Sequence, residues 1–195
     1  MHTRYLPLHA IVALTATVLA CQDGDVATTT PEGQPAAASQ AEEVTRLEQQ
    51  LNQPFALEAG FRVIILSVSI RDQTGDPAMD VYQSHPAPGN VFVVVEYDLA
   101  NLGTEAQGPP GFPVLRDAEG NEHEPATRPT SNYMTFQLFP GQEPPDREVP
   151  SGAQLRLAKV YEVAQAAWEA GGFQVVWEVD PWQGGERTTN YIRVN

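Results

Sequence analysis

Residues able to do chemistry are few in this chain. Hydrolysis would need a nucleophile on a sharp turn, as in Gly-x-Ser-x-Gly, or a Ser, a His and an acid in a strand-turn-helix setting, and neither pattern occurs. Beyond position 20 the histidines are His85 and His123. His123-Glu124-Pro125 cannot form the helix of a zinc protease, because Pro125 breaks it and no second His follows at the needed spacing. Oxygen donors for calcium are better represented, with Asp117, Glu119, Asn121 and Glu122 close together and Asp72, Asp76 and Asp80 forming a looser group. A hairpin, however, points alternate side chains to opposite faces, and the calcium loop of about twelve residues with its terminal Glu is missing. Both groups therefore read as solvated turn acids. No catalytic residue, metal or cofactor is expected, and the chain reads as a non-enzyme. What remains are aromatic rings: Trp182 at a loop tip beside Gly184-Gly185, and Tyr133, Phe136 and Phe139 in a Pro-rich segment. Flat rings there could stack on a sugar or anchor a protein contact, or instead fold back to plug the ends of the fold.

One further residue carries chemistry of another kind. Residues 1–20 hold Arg4, an apolar run from Ile11 to Leu19 and small residues at the end, which together read as an export signal too short to span a bilayer. Cys21, the only cysteine, follows at once. Thr17-Val18-Leu19-Ala20-Cys21 resembles the lipobox of bacterial lipoproteins, with an aliphatic residue three before the cysteine and a small one immediately before it. The resemblance implies cleavage before Cys21, a diacylglycerol on its sulfur and a membrane partner reached through that anchor. Each buried CH₂ adds about 0.8 kcal/mol, so two or three acyl chains hold where one would not. A lone cysteine leaves no internal disulfide to form in a compartment that permits one. Gln22 rather than Asp follows the cysteine, so sorting to an outer membrane is expected where one exists.

Composition narrows the partners. The 195 residues carry 25 acidic and 11 basic side chains, a formal charge of −14, and the single lysine is Lys159. Removing residues 1–20 takes away one basic residue and no acid, so 10 basic face 25 acidic and the charge becomes −15. Such a surface repels phosphate backbones, which excludes nucleic acid as a partner. Residues 22–40 are Thr-, Ala-, Pro- and Gly-rich without a large apolar side chain, the composition of a flexible linker, with a root-mean-square span of roughly 25 Å.

The elements that must position any site follow from periodicity. Ser39 and Glu42 have capping-box spacing, and Val44, Leu47 and Leu51 fall at i, i+3 and i+7, predicting a short amphipathic helix over 41–53. Val91, Val93, Val95, Tyr97 and Leu99 alternate with a face that ends wet at Glu96 and Asp98, the mark of a central strand buried on one side. Residues 61–71 predict a second strand, with Ile64, Leu66, Val68 and Ile70 on one face. Asp117-Ala118-Glu119-Gly120-Asn121 predicts a hairpin. The prolines of 125–152 leave room only for short edge strands, placed around 133–139. Residues 154–163 alternate again, with Leu155, Leu157, Tyr161 and Val163 to one side and Val160 hinting at a bulge. A helical turn over 164–170 ends at Gly171-Gly172, and strands over 173–179 and 188–194 complete the chain.

Seven to nine strands in about 140 residues predict an all-β fold, an immunoglobulin-like antiparallel β-sandwich over 54–195 with short accessory helices. The strand ending at Asn101, the Asp117–Gly120 hairpin, Pro150-Ser151-Gly152 and Val160-Tyr161-Glu162-Val163 resemble, in order, the telokin-like immunoglobulin-fold domains of secreted and lipid-anchored bacterial proteins. That family has no established activity, so the resemblance implies fold and address alone. The expectation is a lipid-anchored envelope protein, facing periplasm or exterior, whose domain binds an envelope protein or a saccharide. The alternatives are an assembly accessory of an envelope complex, or a metal- or saccharide-binding enzyme accessory.

Overall fold

The computed structural model describes residues 45–57, 60–140, 148–179 and 188–195. Cys21, the signal and linker around it, and Trp182 lie outside these residues. The strands are β1 (Thr45–Glu48), β2 (Pro54–Leu57), β3 (Phe61–Arg71), β4 (Thr74–Gly75), β5 (Gln83–Ser84), β6 (Asn90–Asn101), β7 (Val114–Arg116), β8 (Glu122–His123), β9 (Gln154–Ala164), β10 (Gln174–Val179) and β11 (Thr188–Arg193). Two short helices, α1 (Thr127–Tyr133) and α2 (Gln165–Ala170), interrupt them, and a π turn over Met134–Leu138 continues α1.

Nine of these strands make a β-sandwich: a sheet ordered β2-β3-β6-β9 faces one ordered β1-β11-β10-β7-β8. The period-two residues of β6 fill the gap between them. Val93, Val95, Tyr97 and Leu99 pack with Val63 and Ile65 of β3, Tyr161 and Val163 of β9, and with Leu115, Val175, Trp177 and Ile192 of the opposite sheet. Pairing is antiparallel except at one edge, where β1 runs parallel to β11. β4 and β5 form a separate two-stranded ribbon.

Four sequence expectations are corrected. Thr45–Glu48 is an edge strand rather than part of a helix: Gln49 N donates to the Tyr191 carbonyl (2.8 Å) and Tyr191 Oη to Glu48 (3.2 Å). Its apolar stripe covers little, since Leu47 and Leu51 stay exposed. A single short helix is marginal in water, whereas an open sheet edge supplies a row of hydrogen-bonding partners, so the strand wins.

In β3 the expected face is right only after a bulge. The register shifts between Ile65 and Ser67. Phe61, Val63 and Ile65 face the core before that shift, and Val68 packs against it after, so Ile64 and Leu66 do not share Val68's face. One extra residue reverses the alternation. β9, by contrast, pairs with β6 without a break from Ala164 to Gln154.

The segment around 133–139 is helical rather than an edge strand. Pro129 sits in the first turn of α1, where its missing N–H costs nothing. The helix is held by the Thr130 hydroxyl, which accepts from Val160 N (3.0 Å), and by Asn132, which donates to Ser84 Oγ (2.9 Å). It lays Tyr133, Met134 and Leu138 over Phe92, Val94, Ala158 and Val160, making a second apolar cluster on the outside of the sheet. This explains why Val160 upset the alternation: both faces of β6 and β9 are dry at this end.

Candidate functional site

β9 is the outer strand of its sheet, and an open edge there would expose unpaired backbone groups. The chain from Pro125 to Met134 closes its middle, from Ala158 to Tyr161. Pro125 bridges to Tyr161, Ala126 N donates to the Val160 carbonyl (2.7 Å), Val160 N to Thr130 Oγ1, and Ala158 N to Met134 Sδ (3.2 Å). A second wall comes from the turn at Gly108-Pro109-Pro110-Gly111. Gly111 adopts φ 82°, a left-handed conformation that glycine takes without strain. Two core residues then hold the loop: Trp177 Nε1 donates to the Pro110 carbonyl (3.1 Å), and Tyr161 Oη donates to the Pro113 carbonyl. Both rings are almost fully buried, and Trp177 meets Tyr97 edge to face at 5.4 Å. Burial raises the phenol pKa values of Tyr97 and Tyr161, so both hydroxyls stay protonated donors.

Between these walls lies Lys159. Its Nζ stands 4.7 Å from the centroid of the half-exposed Phe112 ring. On one side is a cleft of about 380 Å³ lined by Phe112, Glu124, Pro125, Thr127, Thr130, Ser131 and Lys159. On the other is a cleft of about 240 Å³, whose wall adds Tyr97, Met134 and Leu157 to the shared Phe112, Thr130 and Lys159. One half is thus hydroxyl-rich and the other apolar, with the ammonium at their boundary. Burial lowers the Lys159 pKa, the direction expected for a charge short of water. Arg116, Arg156 and Arg193 are each paired with a carboxylate, but no described residue offers Lys159 a hydrogen bond or an ion pair. Because Thr130 Oγ1 already accepts from Val160 N, its own proton is left for another acceptor. The arrangement offers donors around one cation, a single carboxylate at Glu124, and an apolar slot.

The residues singled out by sequence are placed differently. Tyr133 is buried beneath the helix and its hydroxyl donates to Glu96, so it presents no ring to solvent. Phe136 is half-buried and tilted against the exposed Tyr82, 5.2 Å between centroids, and Phe139 is half-buried at the end of the π turn. The hairpin acids are engaged in the turn. Asp117 accepts from Asn121 N (2.8 Å) and Nδ2 (3.0 Å), which lowers its pKa, and Glu122 pairs with Arg116. Among the described residues no group of three or more His, Cys, Asp or Glu is arranged to hold a metal. Sequence reasoning missed Lys159, although a signal was present. Leu155, Leu157, Tyr161 and Val163 set an inward parity, and the only lysine falls on it.

No protein-family model and no curated protein matches the chain. Solved structures do. A conserved hypothetical protein of Bacillus anthracis superposes with a TM-score of 0.54 at 22% identity, over 71% of this chain and 92% of that one. An uncharacterized β-sandwich protein of Clostridium difficile superposes with a TM-score of 0.50 at 8% identity, over 77% and 96% of the two chains. At these identities the likeness establishes the β-sandwich and nothing further.

Proposed function

We propose that this chain is a lipid-anchored envelope protein whose immunoglobulin-like, telokin-like sandwich binds a ligand without transforming it. The address rests on the sequence: an export signal running into Thr17-Val18-Leu19-Ala20-Cys21, then a polar linker. The binding role rests on one observation, the half-buried Lys159 left without a hydrogen bond or counter-charge from any described residue, between two clefts. A partly desolvated charge without a counter-charge is costly, and a ligand that supplies one gains what the fold forgoes.

The test has two parts. In a bacterial host the full chain should fractionate with membranes and carry fatty acid on Cys21 by mass spectrometry, and Cys21→Ser should release it. Soluble wild-type chain without acyl mass removes the anchor. For binding, ¹³C-methyl signals of Thr130 and Met134 should shift when a low-molecular-weight envelope extract is added. Signals unmoved by every fraction remove the ligand.

A second reading, an assembly accessory, is favoured by another surface. Met79, Val81 and Tyr82 are exposed together on a loop whose Tyr82 touches Phe136. Loss of a co-purifying envelope protein in Val81→Asp, with the Thr130 signals unaffected, would support that reading.

A further inference from the structure

The chemistry of the walls narrows what the cleft can hold. A phosphate or sulfate dianion asks for more positive charge than one ammonium, and Glu124 on the wall opposes it. A neutral sugar fits poorly for another reason. The ring best placed to stack on it, Phe112, already has the Lys159 ammonium against one face, and the sugar would bring no charge to pair with that ammonium. A single carboxylate matches the one ammonium, and where the same ligand also carries an ammonium for Glu124 the site balances. The second half of the cleft then asks for an apolar group, since Tyr97, Met134 and Leu157 line it and lie within reach of the same lysine.

Resting on the binding role above, we propose that the cleft takes a small carboxylate bearing an apolar side chain, as in a free aliphatic amino acid or the C-terminal residue of a peptide. The carboxylate meets Lys159 Nζ and the Thr130 hydroxyl. The side chain enters the half lined by Tyr97, Met134 and Leu157. The rest of the ligand extends towards Glu124, Thr127 and Ser131. With volumes of about 380 and 240 Å³ on the two sides of the lysine, the site has the size of an ordinary small-molecule pocket. The two sources differ at the nitrogen: a free amino acid brings an ammonium for Glu124, a peptide terminus brings an amide.

Calorimetry and methyl NMR on the full chain, with five probes, test this. N-acetyl-leucine should bind and shift Thr130 and Met134. N-acetyl-leucinamide, which differs only in lacking the carboxylate, should bind about ten- to a hundred-fold more weakly, the range for a hydrogen bond to a charged group. N-acetylglycine, which lacks the side chain, should lose more than about tenfold, because up to four buried carbons are absent. Inorganic phosphate should bind more weakly than N-acetyl-leucine. Lys159→Met should abolish the preference for N-acetyl-leucine over N-acetyl-leucinamide while Lys159→Arg retains it, and an unchanged thermal midpoint shows that both variants fold. Free leucine binding more tightly than N-acetyl-leucine identifies the amino-acid source, and the reverse order a peptide terminus.

Equal affinity for N-acetyl-leucinamide, or tighter binding of phosphate, overturns the carboxylate. Equal affinity for N-acetylglycine overturns the apolar half. Failure of all five probes overturns the ligand class, whereas the binding role itself falls only if the envelope extract also leaves the cleft signals unmoved.

Discussion

Val94 tests the dry outer face of β6 most directly. It is fully buried, yet it points away from the space between the sheets, into the cluster made by Phe92, Val160 and Tyr133 of α1. On a sheet with one wet face, Val94→Ala would change stability by a few tenths of a kcal/mol. Under the helix it removes two buried carbons, about 1.6 kcal/mol of transfer free energy, and leaves a small cavity that brings the cost to roughly 2–3 kcal/mol. For a domain of this size that is a fall in thermal midpoint of roughly 4–10 °C. Urea unfolding followed by tryptophan emission should show a lower midpoint at unchanged slope. Amide exchange should quicken across 127–138, because the helix loses part of what it rests on. Ile70→Ala is the control: Ile70 is 52% exposed, so its truncation should cost less than about 0.5 kcal/mol. Equal costs at the two positions, with exchange in 127–138 unaltered, would refute the claim that α1 seals this face.

Three further outcomes follow from single observations. Gly75→Ala should disrupt the β4-β5 ribbon, because a Cβ there would stand 1.9 Å from the Tyr82 carbonyl oxygen at φ 107°; hydrogen exchange at 83–84 indistinguishable from wild type would contradict this. Asn101→Ala should cost several kcal/mol in chemical denaturation, since its amide donates to the carbonyls of Glu105 (2.7 Å) and Val149 (2.8 Å) and accepts from Gly103 N (2.9 Å), each bond carrying about 1–3 kcal/mol when one partner is orphaned. Alkaline pH should destabilise the fold. Burial, and then the Glu96 carboxylate, push the Tyr133 phenol up to about 12, and burial also raises Tyr97 and Tyr161. An unfolded phenol ionises near pH 10, so from about pH 10 to 12 the unfolded chain sheds protons the native state keeps, and stability present in full below that window is lost through it. A urea midpoint flat from about pH 9 to 12 would sink this expectation.

The sandwich was legible because its core strands carry strong periodic signals. In β6 the alternation of Val93, Val95, Tyr97 and Leu99 is the core itself, and the hairpin turn at Asp117 forms where its Asp and Gly place it. Errors arose where tertiary context overrode a local pattern. The i, i+3, i+7 spacing at 44–51 carries no information about the free edge of β11, which captures Thr45–Glu48. Ile64, Leu66, Val68 and Ile70 look like one face because a bulge is invisible to a period-two count that finds apolar residues on both sides of it. Proline density argued against interior strands, correctly over the described residues 125–140, but a proline in a first helical turn is silent in the same count.

The same overrides decide where the cleft lies. Had residues 133–139 formed an edge strand, β9 would have had a partner along its whole length and Lys159 no space beside it. Because the segment is helical it caps the edge through Thr130 and Met134 and stands off at the lysine, so a cleft forms between helix and loop. The inward parity that buries Leu157 and Tyr161 directs position 159 to the same opening, and burial there depresses the ammonium's basicity. A charge at a core-parity position of a regular strand therefore marks a place where the layers do not close, because a fully closed layer would have left that ammonium neither water nor a counter-charge.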